Sequence, residues 1–156
     1  MFTVRPIERD DAAACTDILN HTIRMGGTTA YEKPFTVEGF DKYYRIDAAL
    51  CFVVEFDQKV VGFQGLFDVG DRVLSVGSFT DQQHPKKGAG RALIAQSAKS
   101  ARDHGFSSII AKITSDNAAG LSYYAKSGFV DDHVIKNDHQ RPNGVWVDRI
   151  VKRLAL

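Results

Sequence analysis

Hydrophobic periodicity changes twice along this chain, and each change excludes a class of folds. Residues 49–80 contain three runs rich in β-branched and aromatic residues, LCFVVEF, VVGFQGLF and RVLSVGSFT, separated by short polar segments. Such runs predict a three-stranded antiparallel meander, which excludes an all-helical chain. On both sides of the meander apolar residues recur every three or four positions, as in amphipathic helices. The sequence therefore predicts a mixed α+β (mixed α/β) fold.

Further elements are predicted before and after the meander. A short strand at residues 2–5 precedes a helix that Asp10 or Asp11 can cap, and Thr36 can cap a shorter helix. The later elements are a helix over 88–104, a strand over 107–113, a helix from Asn117 to Gly128, and strands at about 129–136 and 145–154. Because the helix over 88–104 is a crossover connection, strand 72–80 should lie beside a parallel strand 107–113.

Charge and cysteine usage narrow the class of protein. Twenty Lys+Arg against nineteen Asp+Glu give a net charge of +1, which provides no broad basic surface for nucleic acid or an anionic membrane. No linker or repeat interrupts the sequence, so we expect a single domain over residues 1–156. Cys15 and Cys51 lack CxxC spacing and His partners, which predicts buried free thiols and no metal site. The early charges of MFTVRPIERDD exclude a signal peptide and predict a cytoplasmic location.

A local anion site is predicted where the meander ends and the next helix begins. Gly88 and Gly90 lie one residue apart there, so the backbone can approach a ligand closely. The first N–H groups of a helix and its dipole favour phosphate oxygens. Lys86, Lys87 and Arg91 add positive charge. The segment matches neither the Walker A motif nor the dinucleotide fingerprint, so it predicts another phosphate ligand. The same residues also suit a tight helix entry with solvated cations.

A second segment, NAAGLSYYAKSGF at residues 117–129, has two candidate functional residues. Asn117 suits the N-cap of a helix, and Tyr124 follows about two turns later. Each also has a purely structural interpretation, Asn117 as a cap alone and Tyr124 as a core tyrosine with a satisfied hydroxyl. Neither residue decides between these interpretations by itself.

Taken together, VRPIERDDAAACTDIL, KKGAGRALI and NAAGLSYYAKSGF resemble the GNAT superfamily of acetyl-CoA-dependent N-acetyltransferases. The resemblance spans nearly the whole chain. It implies a central, mostly antiparallel twisted sheet of about seven strands, with one splayed parallel pair and helices on both faces.

The resemblance also implies roles for individual residues. The coenzyme diphosphate would be bound by the turn, which comprises Lys86, Lys87, Gly88, Ala89, Gly90 and Arg91. Asn117 would contact the coenzyme, and Tyr124 would lie near the thioester sulfur as a general acid. The strand ending in Ser78, Phe79 and Thr80 would hold the pantetheine arm, with a backbone N–H near Phe79 polarising the acetyl carbonyl.

Within the superfamily, HTI at 21–23, the loop to Pro34 and GVWVD at 144–148 resemble the phosphinothricin and amino-acid acetyltransferase branch. Three positions depart from the pattern: Pro85 replaces Gln or Arg, Gly120 replaces Ala, and Ser75 replaces a glutamate base. Serine cannot serve as that base. The candidate substitutes are His21, Glu32, Glu55, Asp68, His84 and His139, of which His21 and His139 have the most suitable unperturbed pKa.

The acceptor side is predicted at the long irregular segments 20–35 and 137–146. An apolar wall is expected from Tyr31, Phe35, Tyr123 and Trp146, and Arg141 is a candidate partner for a substrate carboxylate.

The resemblance predicts transfer of an acetyl group from acetyl-CoA, as cosubstrate and without a metal, to the primary amine of a small molecule. An amino acid or an analogue such as phosphinothricin or methionine sulfoximine is the expected acceptor, and a homodimer is implied by analogy. A coenzyme-A-binding sensor or non-catalytic partner module is the first alternative, suggested by Ser75 and Pro85. A small nucleotide-binding domain is the second.

Overall fold

The computed structural model describes all 156 residues. Its strands are β1 (Phe2–Pro6), β2 (Leu50–Phe56), β3 (Lys59–Asp68), β4 (Val73–Thr80), β5 (Ser108–Thr114), β6 (Val130–Gln140) and β7 (Trp146–Ala155). Its helices are α1 (Ala12–Met25), α2 (Val37–Phe40), α3 (Ala89–Asp103) and α4 (Ala118–Lys126), with a 3-10 turn at Arg9–Asp11 and a π-helical segment at Asp41–Asp47. None of the helices combines the length and the apolar character that crossing a membrane would require.

The seven strands form one sheet in the order β1-β2-β3-β4-β5-β7-β6. Every neighbouring pair is antiparallel except β4 and β5, which run parallel through the α3 crossover. The predicted α+β class, the antiparallel meander and the single parallel pair are confirmed. This order places the parallel pair at the middle of the sheet.

The parallel pair is joined over only part of its length. Val73–Ser75 pair with Ser108–Ile110, and beyond these residues the two strands separate. In the antiparallel ladder with β3, Asp81 N–H donates to the Val61 carbonyl at 2.8 Å, and the register is unbroken back to Leu74. Backbone groups alternate sides along a strand. Phe79 therefore directs its N–H and C=O to β3, whereas Ser78 and Thr80 direct theirs into the gap beside β5.

Each face of the sheet has its own hydrophobic core. The face covered by α3 and α4 buries mostly aliphatic side chains, including Val54, Leu66, Leu74, Leu93 and Ile109. The face covered by α1, α2 and the π-helical segment buries Leu19, Phe40, Tyr44, Val53 and Phe63. Because side chains alternate between faces along a strand, Ser78 belongs to the first face and Phe79 to the second.

Two local details differ from the sequence-based expectations. Asp11 precedes α1 as expected, but its carboxylate accepts hydrogen bonds from Arg5 and from the Glu8 N–H instead of capping the helix. β6 continues to Gln140, so half of the predicted loop 137–146 is strand. The pairing of β6 with β7 shifts register between Ile135 and His139 and then continues. At this bulge Asn137 takes a positive φ of 47°, and its N–H donates to the Asp148 carboxylate at 2.9 Å.

Both cysteines are buried and unpaired with each other. Burial raises the pKa of the Cys51 thiol to about 12 and also raises the pKa of Cys15. The predicted free thiols are confirmed, and neither is a reactive nucleophile.

Candidate active site

The turn before α3 presents unpaired backbone N–H groups. Gly88 caps the helix with φ +99°, a conformation that favours glycine, and the Ala89 N–H donates back to the Lys86 carbonyl at 3.2 Å. Gly90 and Arg91 belong to the first helical turn, whose N–H groups have no preceding turn to bond. These two amides are therefore free for an anion.

The cations at the turn are available to a ligand. Lys86, Lys87 and Arg91 are exposed, and none of them is paired with a carboxylate. The Lys86 Nζ lies 5.0 Å from the centre of the Phe56 ring, which holds that charge near the turn. The local excess of positive charge predicted from the sequence is thus present at the helix start.

Tyr123 closes the inner side of the same turn. Its hydroxyl donates to the Gly90 carbonyl at 2.7 Å, and a Cβ at Gly90 would lie 2.8 Å from the Tyr123 ring. Glycine at position 90 is therefore required for this close packing. The expectation that Tyr123 contributes to the acceptor wall is wrong, because α4 turns the side chain towards α3 on the opposite face of the sheet.

Asn117 caps α4, as one of its two interpretations predicted. Its side-chain oxygen accepts a hydrogen bond from the Gly120 N–H at 2.9 Å. A Cβ at Gly120 would lie 2.5 Å from the Asn117 amide nitrogen. The departure from alanine at position 120 thus gives the Asn117 side chain the room that it occupies.

Tyr124 reaches the gap between β4 and β5 from the α3–α4 face. Its side chain is buried in the core, and its hydroxyl oxygen lies 2.9 Å from the Ser78 Oγ. Burial raises the pKa of Tyr124, so the phenol keeps its proton at neutral pH. A protonated hydroxyl therefore lies beside the part of β4 that is not paired with β5.

An aromatic wall lines the opposite face at the same strand. The Tyr31 ring lies 5.0 Å from Phe35 and 6.1 Å from Phe79, and its hydroxyl is 2.9 Å from the Tyr44 hydroxyl. Asn20 holds the Phe35 backbone by two hydrogen bonds of 2.8 and 2.9 Å. Trp146 remains largely exposed on the β6–β7 hairpin. Tyr31 and Phe35 are therefore brought together as predicted, without Trp146.

Arg141 does not face a substrate. It is 7% exposed, and its guanidinium makes a bidentate pair with Asp116 at 2.7 and 3.0 Å and a third contact with Glu32 at 3.1 Å. It also donates to the carbonyls of Thr28 and Thr29. The expected role in binding a substrate carboxylate is wrong, because these contacts occupy the guanidinium. Arg141 instead fastens the 26–36 loop to the residues that follow β5.

Two of the six candidate bases meet in the structure. His139 Nε2 lies 2.6 Å from a Glu32 carboxylate oxygen, and both side chains are mostly buried. Glu55 is engaged by Arg5, Asp68 accepts from the Gly70 N–H, and His84 is exposed beside Asp81. His21 has a buried Nδ1 without a partner. Ser75, at the position of the family glutamate, supplies no carboxylate.

Arg149 is a cation on the same face of the sheet as the aromatic wall. Sequence reasoning missed it. It pairs with Thr114 across β5 and β7, and Thr114 Oγ1 donates to the Thr28 carbonyl at 2.6 Å, so both lie on the side of the 26–36 loop. Its buried Nε has no hydrogen-bond partner, and Asp138 approaches only to 3.8 Å. Burial raises the pKa of Tyr31 to about 12, and the charge of Arg149 acts in the opposite direction. The period-two positions Val147, Arg149 and Val151 in β7 were the signal that could have placed it on a buried face.

This combination of a splayed parallel pair, a cationic glycine turn and a phenol in the gap has a match among protein families. The model of the Acetyltransferase (GNAT) family matches residues 20–129. The chain belongs to this family. The cationic turn and the Tyr124 phenol described above are consistent with the acetyl-CoA-dependent N-acetyltransferase activity of its members.

Individual GNAT proteins resemble the chain to different extents. Human N-acetyltransferase 8 is 30% identical over 95 residues, which are 56% of this chain and 42% of the human protein. Thus the matched region spans less than half of that relative. The phosphinothricin acetyltransferase from Sinorhizobium meliloti, solved with acetyl-CoA, has a TM-score of 0.88 at 18% identity, covering 99% of this chain and 88% of that one.

A third neighbour has a different acceptor in its name. The ribosomal-protein-alanine N-acetyltransferase from Brucella melitensis has a TM-score of 0.86 at 21% identity, covering 99% of each chain. At such identities the two structures share the GNAT fold with this chain and do not fix the branch.

Proposed function

We propose that this GNAT protein transfers the acetyl group of acetyl-CoA directly to the primary amine of a small molecule, an amino acid or an analogue such as phosphinothricin or methionine sulfoximine. The observation that supports this most is the part of β4 after Ser75, which is paired with β3 but not with β5. It leads from the cationic turn before α3 to the Tyr124 hydroxyl, with the aromatic wall on the other face. The diphosphate, the thioester and the amine would thus each meet a matching surface along this part of β4.

Acetyl-CoA would bind along this cleft and supply the activated acetyl group. The N–H groups of Gly90 and Arg91, with the adjacent cations, suit its diphosphate. The backbone groups of Ser78 and Thr80 suit the amides of its extended arm, and their N–H groups, on either side of Phe79, are the candidate donors to the acetyl carbonyl. Asn117, at the start of α4, is a further candidate contact for the coenzyme. Ala89 is the buried residue of the turn.

Tyr124 would act as the general acid. As the amine nitrogen forms the new amide bond and the carbon–sulfur bond breaks, the sulfur takes a proton from the Tyr124 Oη. The proton that the nitrogen loses passes through solvent water to the Tyr124 oxygen, which restores the phenol and balances the charges. Phenols and thiols differ in reference pKa by about 1.5 units, and burial of Tyr124 widens this difference. The phenol therefore keeps its proton until negative charge develops on the sulfur. No covalent enzyme intermediate is required, since both cysteines are buried away from the cleft.

Ligand-induced stabilisation tests the coenzyme assignment. At a hundredfold excess over its Kd, acetyl-CoA should stabilise the fold by about 2.7 kcal/mol, which raises Tm by roughly 5–10 °C in a domain of this size. ATP and NAD should give smaller shifts, because the turn lacks their motifs. A shift with ATP that exceeds the shift with acetyl-CoA would favour the nucleotide-binding alternative.

Thiol release distinguishes an enzyme from a coenzyme-A-binding module, the second candidate function, which the absence of a carboxylate at Ser75 favours. We expect free thiol only when acetyl-CoA is supplied together with an amine from a panel of amino acids and their analogues. Binding of acetyl-CoA without thiol release on any amine would support the module. Turnover on peptides alone would contradict a small-molecule acceptor.

The carboxylate of an amino-acid acceptor would accept a hydrogen bond from the unpartnered Arg149 Nε. Arg149→Gln tests this assignment. Hydrogen bonds to charged groups contribute about 1.5–3 kcal/mol, so the variant should lose roughly 10–100-fold in kcat/KM with an amino acid that wild type accepts. The corresponding amino-acid amide, which lacks the carboxylate, should change by less than about threefold. Arg102→Gln, an exposed change in the last turn of α3, is the control. Equal losses on both substrates would contradict carboxylate recognition by Arg149.

We also propose a homodimer, which the exposed apolar side chains on the β6–β7 hairpin support. Val130, Val134, Val145 and Trp146 are each 46–67% exposed. Light scattering should give twice the mass of one 17.2 kDa chain.

A further inference from the structure

A glutamine lies buried between the two ends of the proposed coenzyme cleft. Gln64 is in the middle of β3, on the α3–α4 face, and its side chain is fully inaccessible to solvent. It is surrounded by the aliphatic core, where a hydrophobic side chain of similar size would avoid the cost of burying an amide. A polar side chain at this position therefore requires a specific explanation.

The two amide hydrogens of Gln64 have two acceptors, on two different elements. Its Nε2 donates to the Ser78 Oγ on β4 at 2.6 Å and to the Tyr123 hydroxyl on α4 at 3.2 Å. Tyr123 in turn donates to the Gly90 carbonyl at the cationic turn, and Ser78 contacts the Tyr124 hydroxyl. A continuous chain of hydrogen bonds thus joins the first turn of α3 to the phenol in the gap.

One arrangement of the hydrogens in this chain leaves the Tyr124 proton free. Ser78 Oγ accepts from Gln64 and has one hydrogen to donate, and the Tyr124 oxygen lies within reach of that hydrogen. When Ser78 donates to the Tyr124 oxygen, the phenolic hydrogen of Tyr124 cannot point back at Ser78. Ser78 is the hydrogen-bond partner of that phenol within the chain, so in this arrangement the phenolic hydrogen is left for a ligand in the gap.

We propose that Gln64 and Ser78 are positioning residues that fix the direction of the Tyr124 hydroxyl, so that its proton points into the coenzyme cleft. This inference rests on the proposed function, in which Tyr124 supplies a proton to the departing sulfur. Neither residue touches the reacting atoms. Gln64 acts through Ser78, and Ser78 acts through Tyr124.

The unsatisfied half of Gln64 supports this assignment. Its side-chain Oε1 is buried without any hydrogen-bond partner, which leaves the desolvation of that oxygen uncompensated. Ordinary structural glutamines satisfy both ends of the amide when they are buried. Here only the amide nitrogen of Gln64 is hydrogen-bonded, as expected if the role of this side chain is to donate to Ser78 and Tyr123.

Gln64→Glu tests the direction of the chain with almost no change of shape. In its ionised form the introduced carboxylate can only accept, so Ser78 would donate to it, and Tyr124 would then donate to Ser78 and no longer to the cleft. In its protonated form the introduced carboxyl can still donate. We therefore expect the ratio of variant to wild-type kcat to approach one at low pH and to fall at least tenfold as pH rises through the pKa of this carboxyl, which burial raises.

The free protein provides a second readout. In Gln64→Glu the ¹³Cζ resonance of Tyr124 should move towards the phenolate position over the same pH range, because the phenol begins to donate to Ser78. Wild type should show no such transition. A pH-independent ratio of kcat values, or a Tyr124 resonance that does not titrate, would overturn the proposal.

Serine variants complete the test without introducing a buried charge. Ser78→Ala should lower kcat about tenfold with the KM for acetyl-CoA within about twofold, and Ser78→Thr, which keeps the hydroxyl, should restore most of the loss. Ser97→Ala is the matched control, because Ser97 is a fully buried serine on α3 whose hydroxyl has no partner. Equal effects of Ser78→Ala and Ser97→Ala would overturn the proposal. Wild type without thiol release would instead refute the proposed function itself.

Discussion

Tyr124→Phe should lower kcat about 10²–10⁴-fold, the contribution that a general acid typically makes. The Kd for coenzyme A should stay within a few-fold of wild type, because the phenol contacts no part of the cationic turn. A loss in kcat without a loss of binding indicates an interaction that is made only in the transition state. Steady-state thiol release and calorimetry on the same preparations measure the two quantities.

The fold should tolerate this change. Removing the hydroxyl leaves the Tyr124 ring in the core, 5.1 Å from the Phe129 ring, and leaves Ser78 bonded to Gln64. Unfolding by denaturant should therefore show a loss of no more than about 1.5 kcal/mol, the value of one hydrogen bond. Undiminished turnover would assign Tyr124 to packing alone and remove the general acid from the proposed mechanism.

Arg141→Met should destabilise the protein by about 3–5 kcal/mol, because removing one member of a buried ion-pair network leaves its partners uncompensated. Glu32 and Asp116 retain some contact with water, so we expect the lower end of this range, which corresponds to a Tm roughly 6–12 °C lower. Arg24→Met, an exposed change at the end of α1, should shift Tm by less than about 2 °C.

The same variant should alter the response to acid. In wild type the hydrogen bonds from Arg141 hold the pKa of Asp116 below its usual value, against the opposing effect of burial. The unfolded chain therefore takes up the proton first, and the contribution of the pair, complete above about pH 4, is lost as pH falls further. Arg141→Met should lack this part of the acid sensitivity. A wild-type Tm and a wild-type acid transition would show that the network is dispensable.

Local sequence patterns predicted most of the fold and the part of the candidate site that is proposed to bind the coenzyme. The turn at Gly88 and Gly90, the N-cap at Asn117 and the strand periodicities depend on residues that are neighbours in sequence, so each was visible without the structure. The parallel pairing of β4 with β5 followed because the helix between them, α3, is a crossover connection. Tyr124 was found by resemblance, and its geometry is consistent with the role that the resemblance implied.

The remaining features depend on contacts between distant residues. Arg141 was a candidate partner for a substrate carboxylate, yet its partners Glu32 and Asp116 belong to the chain itself, 109 and 25 positions away. Gln64 looked like one polar residue in a strand, and its link to Tyr123 spans 59 positions. No periodicity or motif records such pairs. The polar residues that organise this site are therefore the ones that single-sequence reasoning places least well.

The separation of β4 from β5 also determines what kind of molecule can enter. An unpaired strand edge is ordinarily open to pairing with another polypeptide, which leads to aggregation. Here the edge lies inside a wedge that is closed at one end by the Val73–Ser75 pairing. A polypeptide strand brings side chains on both faces and needs about 4.8 Å of spacing to each neighbour. A slender chain of amides without side chains fits such a wedge, so the protein is shielded from self-association at the same edge that it offers to its cosubstrate.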